Sequence, residues 1–188
     1  MAKKSMMEDL AMHLLEILIN SVSAGAKNIF LKIFEKTKED TIEMSVKDDG
    51  KGMDQADAER FVDPFHTTRT TRSIGLGLSF LKGLTDQCHG TFSIKSQKGI
   101  GTEIQCSVQR SFIDTPPIGD MGQTIMSVIQ ANENIHLRFE YALNEKRFVF
   151  DTEDIKKQLE GVSLLEPNIL LWIHDYINSG ITSLSKEE

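Results

Sequence analysis

Val46-Lys47-Asp48-Asp49-Gly50-Lys51-Gly52-Met53 decides the reading of this 188-residue chain. An alternating apolar segment, Ile42, Met44 and Val46, runs into an aspartate, and two closely spaced glycines follow. Alternation of this kind marks a half-buried strand. The glycines let backbone come close to a ligand at the strand's end. Taken alone, Asp-x-Gly-x-Gly is also what an ordinary turn contains, because Asp and Gly dominate turns. Its meaning depends on its neighbours.

Upstream, residues 5–24 predict a helix. Met7, Leu10, Ala11, Leu14, Leu18 and Ser21/Val22 recur at three- and four-residue spacing, and Gly25 supplies a stop. Asp9, His13, Glu16, Asn20 and Ser23 fall in one narrow stripe between apolar flanks. Such a stripe is either the solvated face of an amphipathic helix or the wall of a cleft. Glu16 and Asn20 sit one turn apart, so a carboxylate and an amide oxygen point at one spot. A Mg2+ ion that keeps several waters wants one or two such oxygens plus substrate phosphates. Strands are expected at 28–35 and 41–48, with polar 36–40 joining them as a hairpin.

Downstream, a short helix at 54–62 stops before Pro64. Residues 66–74 hold four threonines, two arginines and a serine without apolar periodicity, the pattern of a mobile loop. Ser73-Ile74-Gly75-Leu76-Gly77-Leu78-Ser79 then opens a helix at 75–88. Glycines before a helix N-terminus suit phosphate, because free N–H groups and the dipole converge there. No Walker A or Rossmann pattern is present: no Gly-Lys-Ser/Thr follows, and Phe80 stands at the third glycine. Strands at 91–96 and 102–109 flank the Gly99-Ile100-Gly101 turn, with Thr102 entering the second.

Charge divides the chain. Residues 1–111 hold 15 acids and 15 bases, whereas residues 112–188 hold 13 acids and 6 bases. The shift coincides with turn-rich Asp114-Thr-Pro-Pro-Ile-Gly119, so two domains are expected, 1–111 and a small acidic α/β module at 112–188. That module predicts helices at 120–131, 152–160 and 167–179 and a hairpin of strands 135–143 and 146–151 turning at Asn144-Glu145. Asp151 is its candidate N-cap, Pro167 a helix opener, and Gly161 and Gly180 stops. The hairpin face Leu137, Phe139, Tyr141, Leu143 and the helix residues Ile169, Leu170, Trp172, Ile173, Ile177 are more apolar surface than two short elements hide from each other. They pack on the first domain or form a partner-docking or dimer surface.

The formal charge of −7 argues against a nucleic-acid partner. No apolar run is long enough for a membrane helix and no signal peptide appears, so a cytoplasmic protein is expected. Cys88 and Cys106 are too few for a disulfide framework and read as buried small hydrophobes.

The order of these pieces is specific. Glu16-x-x-x-Asn20 on a helix, Asp48-x-Gly50-x-Gly52 after a strand, a polar loop, Gly75-x-Gly77 opening a helix and Gly99-x-Gly101-Thr102 resemble the superfamily of gyrase, heat-shock chaperone, histidine kinase and mismatch-repair ATPases (GHKL). The resemblance covers roughly residues 5–110. Glu16 through Ala26 is most similar to the mismatch-repair ATPases. Asp63-Pro-Phe65-His-Thr-Thr68, Gly75-Leu-Gly-Leu78 and His89-Gly90 are most similar to histidine kinases. The resemblance implies a Bergerat-type fold: an α/β two-layer sandwich, its mixed and mostly antiparallel sheet covered by helices on one face. It implies ATP and Mg2+ as ligands. Asn20 would ligate Mg2+, Asp48 would accept from the adenine amino group, and Gly50 and Gly52 would admit backbone to the nucleotide. Gly75, Leu76, Gly77 and Leu78 would cradle phosphates, Thr102 would support the adenine end, and Thr68, Arg69 and Arg72 belong to the lid. Ser73 and Ser23 depart from the family pattern, which has glycine and aspartate there.

Glu16 discriminates among the members. Histidine kinases usually carry asparagine there; by resemblance a glutamate is the general base of the ATPases and the anti-sigma-factor serine kinases, whose water or serine nucleophile must lose a proton. The alternative is that Glu16 only orients metal-bound water. The expected function is a stand-alone ATPase or serine/threonine kinase acting on a separate protein partner, and not a complete histidine kinase. The alternative is a non-catalytic ATP-gated regulatory module or a clamp, in which Lys146 or Arg147 would reach the γ-phosphate.

Overall fold

Asp9 starts the first helix. In the computed structural model, which describes residues 9–62 and 76–185 (61, 62 and 76 as backbone only), its carboxylate accepts from Met12 N–H at 2.9 Å. Helix α1 then runs Leu10–Ser23. Asp9 is thus an N-cap rather than part of a cleft wall. At the other end Gly25, at φ +75°, closes a Schellman motif: Gly25 N–H bonds Val22 O, and Ala26 N–H bonds Ser21 O. Expectations for residues 1–8, 63–75 and 186–188, including the polar loop at 66–74, lie outside the described residues.

Strands β1 (Asn28–Lys36), β2 (Thr41–Asp48), β3 (Thr91–Gln97), β4 (Gly101–Gln109), β5 (His136–Leu143) and β6 (Lys146–Asp151) form one sheet in the order β3-β4-β2-β1-β5-β6. Every pair is antiparallel except β1–β5. Helices α2 (Gln55–Val62), α3 (Leu76–Gln87), α4 (Met121–Ala131), α5 (Thr152–Gln158) and α6 (Pro167–Ser185) complete the fold. Alternation puts Ile29, Leu31, Ile33, Ile42, Met44, Val46, Ile104, Cys106, Val108, Leu137, Phe139 and Tyr141 into the core. The opposite face carries ion pairs such as Lys32–Glu140 and Lys36–Glu43. This is the expected two-layer sandwich, helices on one face of a mixed, mostly antiparallel sheet. Cys88 and Cys106 are buried, and burial pushes the Cys106 thiol up to about 12.

The charge break at residue 112 marks no gap in the packing. β5 pairs with β1 from Asn28↔His136 to Glu35↔Leu143, so the acidic region extends the same sheet. Leu10, Leu14 and Leu18 share one core with Ile125, Val128 and Ile129 of α4 and Ile173 and Ile177 of α6. The turn-rich stretch that resembles a linker has a different task. Pro117 and Ile118 carbonyls accept from Leu10 and Ala11 N–H at 3.0 and 2.8 Å, satisfying donors that a helix N-terminus leaves open.

Gly180 corrects an expectation. It is no stop, since α6 continues to Ser185; a Cβ there would overlap the Phe148 ring, so the glycine lets helix and sheet approach. Gly161, at φ +98° after α5, does follow a helix end. His174 on α6 lies 3.0 Å from Asp120, the N-cap of α4, and 2.9 Å from Asp175. Asn178 bonds both Asp120 and Gly122 N–H, tying α6 to the start of α4.

Two tests follow from this packing. Gly180→Val should destabilise the fold by about 1–3 kcal/mol, the usual overpacking cost, in denaturant unfolding. The bonds to Asp175 and Asp120 raise the His174 pKa. A raised folded value stabilises below the ordinary histidine pKa of about 6.5 and is lost as pH climbs through the folded value. Wild-type stability should therefore decline above about pH 6.5, and His174→Gln should flatten that decline.

Candidate functional site

The end of β2 fixes the first half of the site. Asp48 is half-buried on the helix-covered face, and its Oδ2 accepts from the Ser21 hydroxyl of α1 at 2.8 Å. Its Oδ1 accepts from Gly50 N–H at 2.9 Å. Thr102 stands directly opposite Asp48 in the β2–β4 ladder. The Ser96 hydroxyl lies 2.9 Å from Thr102 Oγ1 and accepts from Met53 N–H at 2.9 Å. Gly50 is buried, and a Cβ there would come within 3.0 Å of Ala24 Cβ and Asp48 Oδ1. Gly52, at φ +57°, presses on the Gln97 and Gly101 carbonyls, so no other residue fits.

Asp49 serves this end without entering it. Its carboxylate accepts from Lys27 N–H at 2.7 Å, Asn28 N–H at 2.8 Å and the Asn28 amide at 2.6 Å. Burial pushes its pKa up, but those bonds overcome it and leave the group below its ordinary value. The clamp holds the α1–β1 turn against the β2 end, which orients Asp48.

The second half lies along α1. Glu16 and Asn20 are both half-buried, and neither side chain is held by a hydrogen bond among the described residues. Glu16 meets the first turn of α3: a Cβ on Gly77 would lie 2.5 Å from Glu16 Oε2 and 3.0 Å from Glu16 Cβ. A larger residue at 77 would push the Glu16 carboxylate away from this turn. Burial raises the Glu16 pKa. From Ser21, which holds Asp48, to Glu16, which faces Gly77, the helix rises by about 7.5 Å. Asn20 lies between. The N–H groups of Leu76, Gly77 and Leu78 belong to the first turn of α3, where N–H groups lack helical partners. The Leu78 side chain itself is core.

The structure thus brings together Asp48, Gly50, Gly52 and Thr102 at one end, and Glu16, Gly77 and the head of α3 at the other, with Asn20 between. Thr68, Arg69, Arg72 and Gly75 lie outside the described residues, and Leu76 is described as backbone only. The stripe is not one continuous wall: His13 is buried, its Nδ1 unpartnered among the described residues, and Ser23 is exposed. Burial lowers the His13 pKa, with the Asp9 charge opposing.

Lys146 and Arg147 pair with Leu143 and Ala142, at the end of the sheet far from Asp48, which pairs with Ile29. They do not serve this site. A shallow concavity lined by Phe34, Glu43, Ser45, Ser93 and Gln105 is on the opposite face of the sheet from Asp48.

Sequence reading missed Ser21, Ser96 and Asp49. Ser21 had a detectable signal, a hydroxyl at a core-facing helix position one heptad after Leu14. Ser96 and Asp49 had none, because ordinary strand and turn residues of their type are abundant.

The chain is similar to several known proteins. Over 97 residues the chain is 33% identical to sensor histidine kinase YxdK of Bacillus subtilis, covering 49% of this chain and 30% of that protein. It is 30% identical over 92 residues to sensor histidine kinase YvrG of the same organism, covering 47% and 16%. The chain thus matches less than a third of either relative. Among solved structures, the Aquifex aeolicus MutL ATPase domain complexed with ADP is similar at 16% identity and TM-score 0.47, covering 82% of this chain and 68% of that one. The catalytic domain of histidine kinase ThkA is similar at 22% identity and TM-score 0.39, covering 53% and 63%. No helix among the described residues is long and apolar enough to cross a membrane. The family described as histidine kinase-, DNA gyrase B-, and HSP90-like ATPase matches residues 7–111, more than half the sequence, and the chain belongs to that family.

Proposed function

We propose that the chain binds Mg2+-ATP and uses Glu16 as general base, passing the γ-phosphoryl group to water or to a serine or threonine hydroxyl of a separate protein. The observation that supports this reading best is the place of Glu16. A carboxylate held above its ordinary pKa by burial faces the first turn of a helix suited to phosphate. Raising its pKa makes it a better proton acceptor for a hydroxyl nucleophile.

Position supports the remaining roles. Asp48, with Oδ2 taken by Ser21 and Oδ1 by Gly50 N–H, offers its remaining lone pairs to an exocyclic amino group. Thr102 backs the same end through its register with Asp48. The Asn20 side-chain oxygen, one turn from Glu16, would hold Mg2+, with phosphate oxygens and water completing the shell. Asn20 and Glu16 are half-buried one turn apart and offer the one or two oxygen donors that a Mg2+ ion carried by the nucleotide takes from protein. The ion, when bound, neutralises charge developing on the phosphates. Leu76, Gly77 and Leu78 N–H groups, with Gly75, would cradle them, and Thr68, Arg69 and Arg72 would close over the nucleotide. With ATP as substrate the working compartment is the cytoplasm.

Asp48→Asn should weaken ADP binding by about 1–3 kcal/mol, the worth of a hydrogen bond to a charged group, in calorimetry. Wild-type protein that takes up no adenine nucleotide at millimolar concentration would sink the assignment. Glu16→Gln should keep ATP affinity while ADP release with Mg2+ slows by about 10²–10⁴-fold; unchanged turnover would remove Glu16 as base. Asn20→Ala should weaken Mg2+-ATP far more than metal-free nucleotide, and equal losses would exclude a ligand role.

A further inference from the structure

Asp49 lies between Asp48 and Gly50, whose N–H holds the Asp48 carboxylate, so whatever fixes Asp49 fixes both. Its own N–H makes only a long bond, 3.3 Å to the Asn28 carbonyl. Its carboxylate does more, accepting from the Lys27 and Asn28 N–H groups and from the Asn28 side-chain amide. Of these three donors only the amide can turn away. What keeps it facing Asp49 comes from the C-terminal region.

A carboxylate only accepts, so Asn28 turns its NH2 group to Asp49, at 2.6 Å, and its carbonyl oxygen the other way. That oxygen lies 3.0 Å from His136 Nδ1. An amide oxygen also only accepts, so Nδ1 donates. The far side of the ring is held by Asp151, whose oxygens lie 3.1 and 3.3 Å from Nε2. Asp151 is itself fixed: it accepts from Glu153 N–H at 3.0 Å, capping α5, and from Arg138 at 3.2 Å. Its side chain is 11% exposed and that of His136 23%. The Phe30 ring meets the imidazole edge-to-face, with centroids 6.0 Å apart.

We propose that His136 is a positioning residue for the nucleotide site: its Nδ1–H fixes the Asn28 amide, which fixes Asp49 and through it the Asp48 carboxylate. This rests on the nucleotide-binding reading given above. His136 supports the site from behind. It alternates with buried Leu137 and Phe139, so its ring is on the open face of the sheet, whereas Asp48 is on the helix-covered face. It therefore acts through Asn28 and Asp49 rather than on a bound nucleotide. It also lies outside residues 7–111, so a strand beyond the family's own stretch takes part in holding the site.

Two isosteres divide the ring. Asparagine at 136 places an N–H where Nδ1 was, toward Asn28, and glutamine places one where Nε2 was, toward Asp151. The backbone bond from residue 136 N–H to the Lys27 carbonyl, at 2.8 Å, survives either change. Calorimetry of the full chain with ADP should show His136→Asn close to wild type and His136→Gln about 3- to 10-fold weaker, the worth of one hydrogen bond. A histidine that only braced Asp151 would give the opposite order. Asn28→Ala, which cuts the same link elsewhere, should reproduce the loss. In an Asp49→Ala background His136→Gln should cost nothing further, since the route to Asp48 is already cut. Equal affinities of the two His136 variants overturn the inference, as do the opposite order, wild-type affinity in Asn28→Ala, or a full added loss on top of Asp49→Ala. Each of these leaves nucleotide binding itself standing. Wild-type protein that takes up no ADP removes that reading, and the inference with it.

Discussion

Helix α1 is held at both ends, and the site depends on that. Its N-terminus rests on Asp9 and on carbonyls from Pro117 and Ile118, more than a hundred residues away in sequence. Its C-terminus is closed by the Gly25 motif and followed by the turn that Asp49 clamps. Between those points its inner face is buried by Leu10, Leu14, Ile17 and Leu18. Glu16 and Asn20 are therefore carried on a rigid rod, and the role proposed for Glu16 would gain from that rigidity.

Close backbone approach is the second constraint. Glycines at 52, 77 and 101 stand where a Cβ would overlap backbone or the Glu16 carboxylate. Gly101 packs on the Asp48 carbonyl and Gly52 on Gly101, so the loops after β2 and before β4 form one layer. This layer puts Thr102 beside Asp48, and Ser96 binds it to Met53 and so to the start of α2. Any side chain larger than hydrogen would separate the two walls of the site.

The acidic C-terminal region contributes structure to the ATPase fold. β5 adds a parallel strand to β1, and α4 and α6 cover it with the same core that supports α1. A relay of hydrogen bonds runs from Asp49 through Asn28 and His136 to Asp151, which caps α5. The Asp48 end of the candidate site and the last hairpin are thus joined by polar contacts as well as by the sheet.

Local pattern made much of this legible. Period-two alternation located every strand to within a residue or two, because each strand has one wet and one dry face. The glycine spacing and the Glu16/Asn20 turn marked both ends of the candidate site for the same reason: close approach and one-turn spacing are local facts. What needed the tertiary structure was everything set by distant partners. The segment 114–119 reads as a linker, since nothing local shows that its carbonyls cap α1. Gly180 reads as a stop, since only the Phe148 ring explains a glycine inside a helix. Asp9 and His13 read as cleft residues, although capping and burial claim them. Composition at residue 112 suggested a boundary, but strand pairing is decided by hydrogen bonds and burial across the whole chain, and charge on the solvated surface does not report it.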